Sequence, residues 1–210
     1  MDILKVISQT IDVVDACHIK FSTSFYNLDD IKKHKLRSLK RIYVSEAKTN
    51  DYFIKEFLPT YYSALENSDV DNSLLEFFSP FAFNPDIDYH FRIKMRDSTS
   101  IKLAHYAYKE KRNNSYYPLN KCLNDIYGVR LILKGVNSQK IEVKKLLDSK
   151  KADNKLIKYY YRDRDGYKSF QCYFEMSNKV LPWELQIWDL EDKDNNARAH
   201  VQHEREKNII

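Results

Sequence analysis

Glycine is nearly absent. Gly128, Gly135 and Gly166 are the three in 210 residues, and all lie within Asp125–Trp188. A glycine-rich phosphate loop before a helix is therefore excluded, and with it the Walker arrangement. Cysteine is equally scarce: Cys17, Cys122 and Cys172 are far apart, odd in number and form no Cys-x-x-Cys. They read as buried thiols of a reducing, cytoplasmic compartment rather than a disulfide frame or a zinc site. No run of about 18 apolar residues occurs, so no membrane span is expected. Met1–Ile11 is short and amphipathic, with charges at Asp2 and Lys5, which does not suit a signal peptide. His200-Val-Gln-His203-Glu204 fits neither zinc-protease spacing nor its inverse. Without a His-Asp dipeptide or a Gly-x-Ser-x-Gly elbow, a histidine-held metal phosphohydrolase and an elbow-serine hydrolase are also set aside.

What is present suits one domain with a helical extension. Hydrophobic residues make up 43% and aromatics 14%, enough for a core and too much for disorder. The net charge of +5 is a mild basic excess, compatible with anionic ligands such as nucleotides or RNA.

Residues 1–80 carry helical periodicity. Ile3, Leu4, Ile7, Ile11 and Val14 mark a first helix. Leu28-Asp-Asp30 precedes a second, carrying Ile31, Leu36, Leu39, Ile42 and Tyr43. That second helix is basic, with Lys32, Lys33, Lys35, Arg37, Lys40 and Arg41; it is either a solvated face or a surface for a nucleic-acid backbone. Asp51–Glu66 and Ser73–Phe78 read as further helices. The proline-punctuated Ser79–Pro85 then divides a helical N-terminal extension (1–85) from a second part (86–210).

After Ile87 the pattern changes to strands. Tyr89–Met95 alternates, with His90, Arg92 and Lys94 on one face. Asp97 or Ser98 is the expected cap of a helix reaching about Arg112, with Ser98 and Lys102 one turn apart. A serine at a helix start, beside Arg92, Lys94 and Lys102, makes a polyphosphate cradle, because free N–H groups and cations both attract anions. Strands are expected at Tyr127–Leu133, Leu156–Arg162, Ser169–Met176 and Leu181–Trp188, with a helix over Val136–Ser149. A turn at Ser177–Val180 joins the last two strands, and Glu191–Glu206 forms a polar tail helix with Asn196 and His200 on one face.

The chemistry collects in Asp125–Trp188. In Leu181–Trp188, Leu185 and Ile187 face a core, while Glu184 and Gln186 share the opposite face. Asp125 precedes a strand whose Gly128, Arg130 and Ile132 share one face. An acid able to hold a divalent cation thus stands close to an arginine able to neutralise phosphate. Neither acid is expected in the apolar core.

Taken in order, these pieces resemble the synthetase domain of the RelA/SpoT family, the ATP-dependent alarmone synthetases, over about Tyr89–Lys207. The resemblance rests on Arg92-x-Lys94-x-x-x-Ser98-x-x-x-Lys102, Asp125-Ile-Tyr-Gly-Val-Arg130, Gly166-Tyr-Lys-Ser169, Glu184-Leu-Gln-Ile187 and His200. It implies an α/β (α+β) fold: a nucleotidyltransferase-like mixed sheet flanked by helices. It also implies that the chain is like the small members, which lack a hydrolase half and regulatory modules. Arg92, Lys94, Ser98 and Lys102 would hold ATP phosphates, and Asp125 and Glu184 would bind Mg²⁺. Glu184, with Arg130 and Gln186 beside it, would act as general base toward a ribose 3′-hydroxyl that attacks the β-phosphorus and expels AMP. Tyr167, exposed after its glycine, would stack on the acceptor base, with Lys168, Ser169, Asn196 and His200 around it.

Four departures from the family pattern bear on the acceptor. Gln171 stands where a histidine is usual, Asp165 where asparagine is, Trp188 where arginine follows Gln-Ile, and Asn195-Asn196 where Trp-Ala is. Glu-Leu-Gln-Ile-Trp with Asn and His is more similar to the toxic synthetases of toxin–antitoxin and phage-defence systems. Several of those modify the 3′ CCA end of tRNA. The favoured acceptor is therefore tRNA, with Lys32, Lys33, Arg37, Lys40 and Arg41 as its contacts and an antitoxin protein as a possible partner. GDP or GTP is the alternative acceptor, and a non-catalytic nucleotide- or RNA-binding module is the alternative class.

Overall fold

Ile3, Ile7, Ile11, Val14, Phe21 and Phe25 bury one stripe of a long helix, α1 (Ile3–Tyr26), which Asp2 caps by accepting from the Lys5 N–H at 3.1 Å. A computed structural model describes residues 1–29, 31 and 39–207, with the backbone alone for His200 and residues 203–207. After α1 come α2 (Val44–Thr49), a π-helical turn (Phe53–Phe57) running into α3 (Leu58–Glu66), and α4 (Val70–Phe78). The second half holds β1 (Ile87–Ile93), α5 (Arg96–Asn113), α6 (Leu119–Cys122), β2 (Tyr127–Leu133) and α7 (Lys140–Ala152). It closes with β3 (Lys158–Arg164), β4 (Tyr167–Phe174), β5 (Trp183–Asp189) and α8 (Lys193–Lys207).

The strands form one mixed sheet in the order β1-β2-β5-β4-β3, in which β2 and β5 are parallel and the other pairs antiparallel. This is the mixed α+β architecture expected, a sheet flanked by helices. Because side chains alternate, the two faces differ sharply. Val129, Leu131, Leu185, Ile187, Phe170, Cys172 and Phe174 are buried on one face, in a core that extends without a break into α1, α3 and α4. The other face carries Arg92, Gly128, Arg130, Glu184, Gln186, Tyr173 and Gln171, placed side by side by the register.

Two local expectations need correction. Leu39–Arg41 is a single 3-10 turn and Tyr43 is extended (φ −89°, ψ 157°), so no helix continues to Tyr43. The backbone there bonds elsewhere: Leu39 N–H donates to Asn178 O, Leu119 N–H to Ile42 O, and Val44 N–H to Tyr117 O. The rest of that expected helix, with Lys32, Lys33 and Arg37, lies outside the described residues. Met95, not Asp97 or Ser98, precedes α5 and supplies no side-chain cap. The chain enters α5 directly from the sheet, since Lys94 N–H still donates to Ile126 O at 2.7 Å. All three cysteines are buried and unpaired. No described helix is long and apolar enough to cross a membrane.

The helices of the first half hold the start of β5. Trp183 is fully buried; its indole N–H donates to Tyr61 of α3 at 3.1 Å, and its ring lies 4.3 Å from that of Tyr127. His18 of α1 packs edge-on against the same indole and donates from Nε2 to the Leu181 carbonyl at 3.1 Å. Burial pushes the His18 imidazole down to about 4, against the smaller upward pull of that carbonyl. In the unfolded chain it titrates near about 6.5, so between those values the unfolded state binds the extra proton. Stability is thus present at neutral pH and lost as pH falls from about 6.5 toward 4. Thermal unfolding from pH 7.5 to 4.5 should show this decline, and His18→Gln, which can still donate to Leu181, should flatten it.

Candidate active site

At the edge of the polar face, three elements converge on one carboxylate. Lys94, just past β1, places its ammonium 3.0 Å from Asp125 Oδ2; Lys102, in the second turn of α5, places its own 2.9 Å from Oδ1 and 3.3 Å from Asn124 Oδ1. The side chains of Lys94, Lys102 and Asp125 are 7%, 15% and 17% exposed. Buried charge is costly unless it is neutralised. Two ammonium groups on one carboxylate leave a net positive charge in a nearly dry site. Arg92 extends the charge outward from β1. Ser98, half-buried in the first turn of α5, completes the set read from sequence.

The chemistry of Asp125 follows from its neighbours. Burial would push its carboxyl up, but the charges of Lys102 and Lys94 and their hydrogen bonds outweigh this and hold it well below the usual carboxylate range. For Lys102 the balance is the mirror image: burial pulls the ammonium down and Asp125 more than restores it.

Glu184 has the opposite environment. It projects from β5 onto the polar face yet is only 7% exposed, so it is more enclosed than the sequence suggested. Tyr173 of β4 donates to its Oε1 at 2.8 Å, and Gln186 Nε2 donates to its Oε2 at 2.8 Å. Burial raises its pKa, the charge of Asp125 raises it further, and the bonds from Tyr173 and Gln186 pull back incompletely. One acid is thus held ionised while the other is moved toward neutrality, the division that separates charge-holding from proton-accepting carboxylates.

Gln186 links Glu184 to Arg130, whose Nε donates to Gln186 Oε1 at 3.1 Å. The Arg130 guanidinium lies 3.8 Å from the centre of the Trp188 ring, so this tryptophan is a platform for the arginine. Gly128 sits between Arg92 and Glu184 in the register, and a Cβ built there would meet nothing within 4 Å. The floor of the site is therefore open above this glycine.

The residues expected to face an acceptor fare differently. Tyr167 is 6% exposed, not solvent-facing: its ring meets Trp188 edge-on, its hydroxyl accepts from the Trp188 indole at 3.2 Å, and Arg162 covers it at 5.0 Å. The reason is the hairpin. Asp165 (φ 56°) and Gly166 (φ 77°) form the two-residue loop between β3 and β4, so Tyr167 pairs with Arg164 instead of standing free. Lys168 alternates to the other side of β4, its ammonium 3.9 Å from Asp192. Asn196 is fully buried and its amide bonds the Lys168 backbone twice, accepting from its N–H and donating to its carbonyl, both at 2.7 Å. It splints the strand end and, fully buried, presents no surface to a ligand. Ser169 does face the site side, 2% exposed, and its hydroxyl has no partner among the described residues. The His200 side chain lies outside the described part. Lys40 and Arg41 are exposed on their 3-10 turn, Lys40 paired with Glu175 at 3.4 Å.

Tyr173, which the sequence reading did not single out, is the main addition. Its spacing of two from Gln171 marked the right face, but only the register shows it opposite Glu184. Tyr160 extends the chain to the sheet edge: its hydroxyl bonds Gln171 Oε1 and lies 3.3 Å from the Tyr173 hydroxyl.

Among the described residues, no three or more His, Cys, Asp or Glu side chains cluster as a metal site. Mg²⁺ asks for less, since it commonly takes one or two carboxylates and completes its shell with water and substrate phosphates. Asp125 and Glu184 fit that donor set once the lysines turn from Asp125 to phosphate.

Solved structures that resemble this one include small alarmone synthetases, at low overlap. Synthetase 1 from Bacillus subtilis bound to its product pppGpp shares 20% identity and a TM-score of 0.40, over 73% of this chain and 82% of that one. Synthetase 2 from Bacillus subtilis gives 17% and 0.37, over 76% and 96%. No family model and no curated protein matches the chain. At such distances the functional reading rests on the site itself.

The lysine pair makes a direct prediction. Lys102→Met should weaken binding of inorganic tripolyphosphate roughly 10- to 100-fold, the worth of one charged hydrogen bond, about 1.5–3 kcal/mol. Calorimetric titration of both proteins measures it; equal affinities would remove Lys102 from the anion site.

Proposed function

We propose that the protein is an ATP-dependent pyrophosphokinase that transfers the β,γ-pyrophosphate of ATP to a ribose 3′-hydroxyl. The observation that carries this reading is the pairing of an under-neutralised lysine cluster on Asp125 with a raised-pKa Glu184 on one open sheet face. A module that only binds phosphate gains nothing from a second, enclosed acid, which repels its ligand.

In the reaction, Arg92, Lys94, Ser98 and Lys102 hold the triphosphate, the two lysines exchanging part of their hold on Asp125 for phosphate oxygens. Mg²⁺, held by Asp125 and Glu184, would neutralise charge developing on the phosphates. Glu184 takes the proton of the 3′-hydroxyl through its unshared lone pairs. The 3′-oxygen bonds to the β-phosphorus, the β-phosphorus–bridging-oxygen bond breaks, and AMP leaves with that oxygen. Arg130, oriented by Gln186 and Trp188, faces the charge spread over the transferring group.

Transfer RNA is the favoured acceptor, with GDP or GTP the alternative. Support comes from the closed acceptor side: Gln171 is buried and bonded to Tyr160 and Tyr173 in place of a phosphate-binding histidine. Lys40 and Arg41 are the described members of the proposed tRNA contacts. An antitoxin protein is the partner this reading calls for.

The assay is incubation with ATP labelled at the γ-phosphate and either deacylated tRNA or GDP, followed by separation by size. Label on tRNA, with AMP released, is expected. Label only in a guanosine tetraphosphate would replace the acceptor, and no AMP in either mixture would leave a binding module. Glu184→Gln should lower turnover by about 10²–10⁴-fold.

The pH dependence is a separate check. Glu184 must be unprotonated to act, so activity falls as pH drops through its raised pKa. Tyr173→Phe removes a bond that stabilises the carboxylate, and should move the acid limb of the kcat/KM profile to higher pH. A limb that stayed in place would assign the base elsewhere.

A further inference from the structure

A second basic and aromatic surface lies at the far edge of the sheet, and the phosphate chemistry does not use it. Helix α7 presents Lys140, Lys144, Asp148 and Lys151, spaced as one helical stripe, toward the outer face of β3. Between them is a cleft of about 450 Å³ with Tyr159, Tyr161 and Phe170 on its opposite wall. The Lys140 ammonium lies 3.5 Å from the centre of the Tyr161 ring, and the Tyr159 hydroxyl bonds Asp148. Lys144 and Lys151 are exposed and make no ion pair among the described residues.

The edge strand itself is unusual. Lys158-Tyr-Tyr-Tyr-Arg-Asp-Arg164 pairs with β4 on one side and, among the described residues, with no other strand on its outer side. Consecutive tyrosines put rings on both faces: Tyr159 and Tyr161 on the cleft, Tyr160 on the polar face. Cations accompany each. Lys158 stands 5.2 Å from the Tyr160 ring and 5.1 Å from that of Tyr173, and Arg162 lies over Tyr167. Rings interleaved with cations therefore run from the α7 cleft, round the sheet edge, to the side chains that bond Glu184.

We propose that the α7–β3 cleft and edge strand bind a single-stranded RNA segment, leading its end toward the polar face. Bases of a single strand can stack on tyrosine while lysines follow the backbone; a duplex hides its bases from such rings. A free nucleotide would fill the cleft but leave the cations on the opposite face of β3 unused. The link to catalysis rests on the transfer reading above, whereas binding can be measured without turnover.

The test uses the full chain and fluorescence anisotropy with an end-labelled RNA of about ten nucleotides, within the span one such surface covers. Lys144→Glu with Lys151→Glu, both on the exposed helix face, should weaken binding at least about tenfold. The slope of log affinity against log salt should fall by about 1.4, two contacts at about 0.7 each. Tyr161→Leu, which keeps an apolar partner for Phe170, should weaken binding about tenfold through lost stacking. Tripolyphosphate affinity and thermal unfolding should not change in the lysine variant. RNA affinity unchanged in that variant, or absent in the parent, overturns the site. Displacement by duplex RNA or an acidic peptide at equal concentration overturns the single-strand assignment, and displacement by micromolar GTP overturns the RNA source. If AMP release fails with every acceptor while these losses are seen, the transfer reading falls and the RNA site stands.

Discussion

Everything on the polar face is arranged around one carboxylate carrying two buried lysines. The Lys94–Asp125–Lys102 group cannot form from any single element: Lys94 leaves β1, Lys102 rides on α5, and Asp125 enters β2. The antiparallel pairing of β1 with β2 fixes two of them, extended past the strand end by the Lys94–Ile126 bond. The turn straight from Lys94 into α5 fixes the third. A helix begun two residues later would carry Lys102 out of reach, which is why the missing side-chain cap at Met95 matters less than the position of the start.

The second acid depends on the first half of the chain. Glu184 sits one residue after Trp183, and Trp183 is gripped by Tyr61, His18 and Phe21 from the opposite face of the sheet. Alternation along β5 therefore converts tight apolar packing beneath the sheet into a fixed position for a carboxylate above it. A catalytic constellation needs such support, because small displacements remove most of the benefit of orientation. The helices before residue 80 are in this sense part of the site, and Tyr62 of α3 also holds the start of α5 through its bond to Thr99.

Periodicity made much of this legible in the sequence. The face shared by Glu184 and Gln186, the strand of Gly128 and Arg130, and the stripe of α1 all follow from spacings of two or of three to four. What the sequence could not show was which polar groups consume one another. Spacing puts Asn196 on one face of the tail helix, yet its amide bonds the Lys168 backbone twice, a long-range pairing that no local pattern encodes. Tyr167 was read as exposed because it follows glycine. The Asp165-Gly166 signal is rather that of a tight hairpin, which starts a strand at Tyr167 and lays its ring on Trp188. The basic segment near residue 40 failed as a helix because its backbone found partners at Tyr117, Leu119 and Asn178.

The two sides of the site are consequently unlike. Around Asp125, charge is unbalanced and Gly128 leaves open space above the sheet. Toward β4 and α8, Gln171 closes onto Tyr160 and Tyr173, Trp188 holds Arg130 and Tyr167, and Asn196 holds β4, so these groups are already engaged with one another. The Ser169 hydroxyl is the exception. A small acceptor held mainly by contacts at that end would have to break internal bonds to be seated, each at a cost of about 1 kcal/mol or more. A long acceptor can draw its binding energy from elsewhere and present only its terminal ribose to Glu184, the arrangement in which remote contacts serve the reacting end. Gln171 and Trp188 close the near pocket by their own contacts, and under the transfer reading this moves recognition toward the sheet edge.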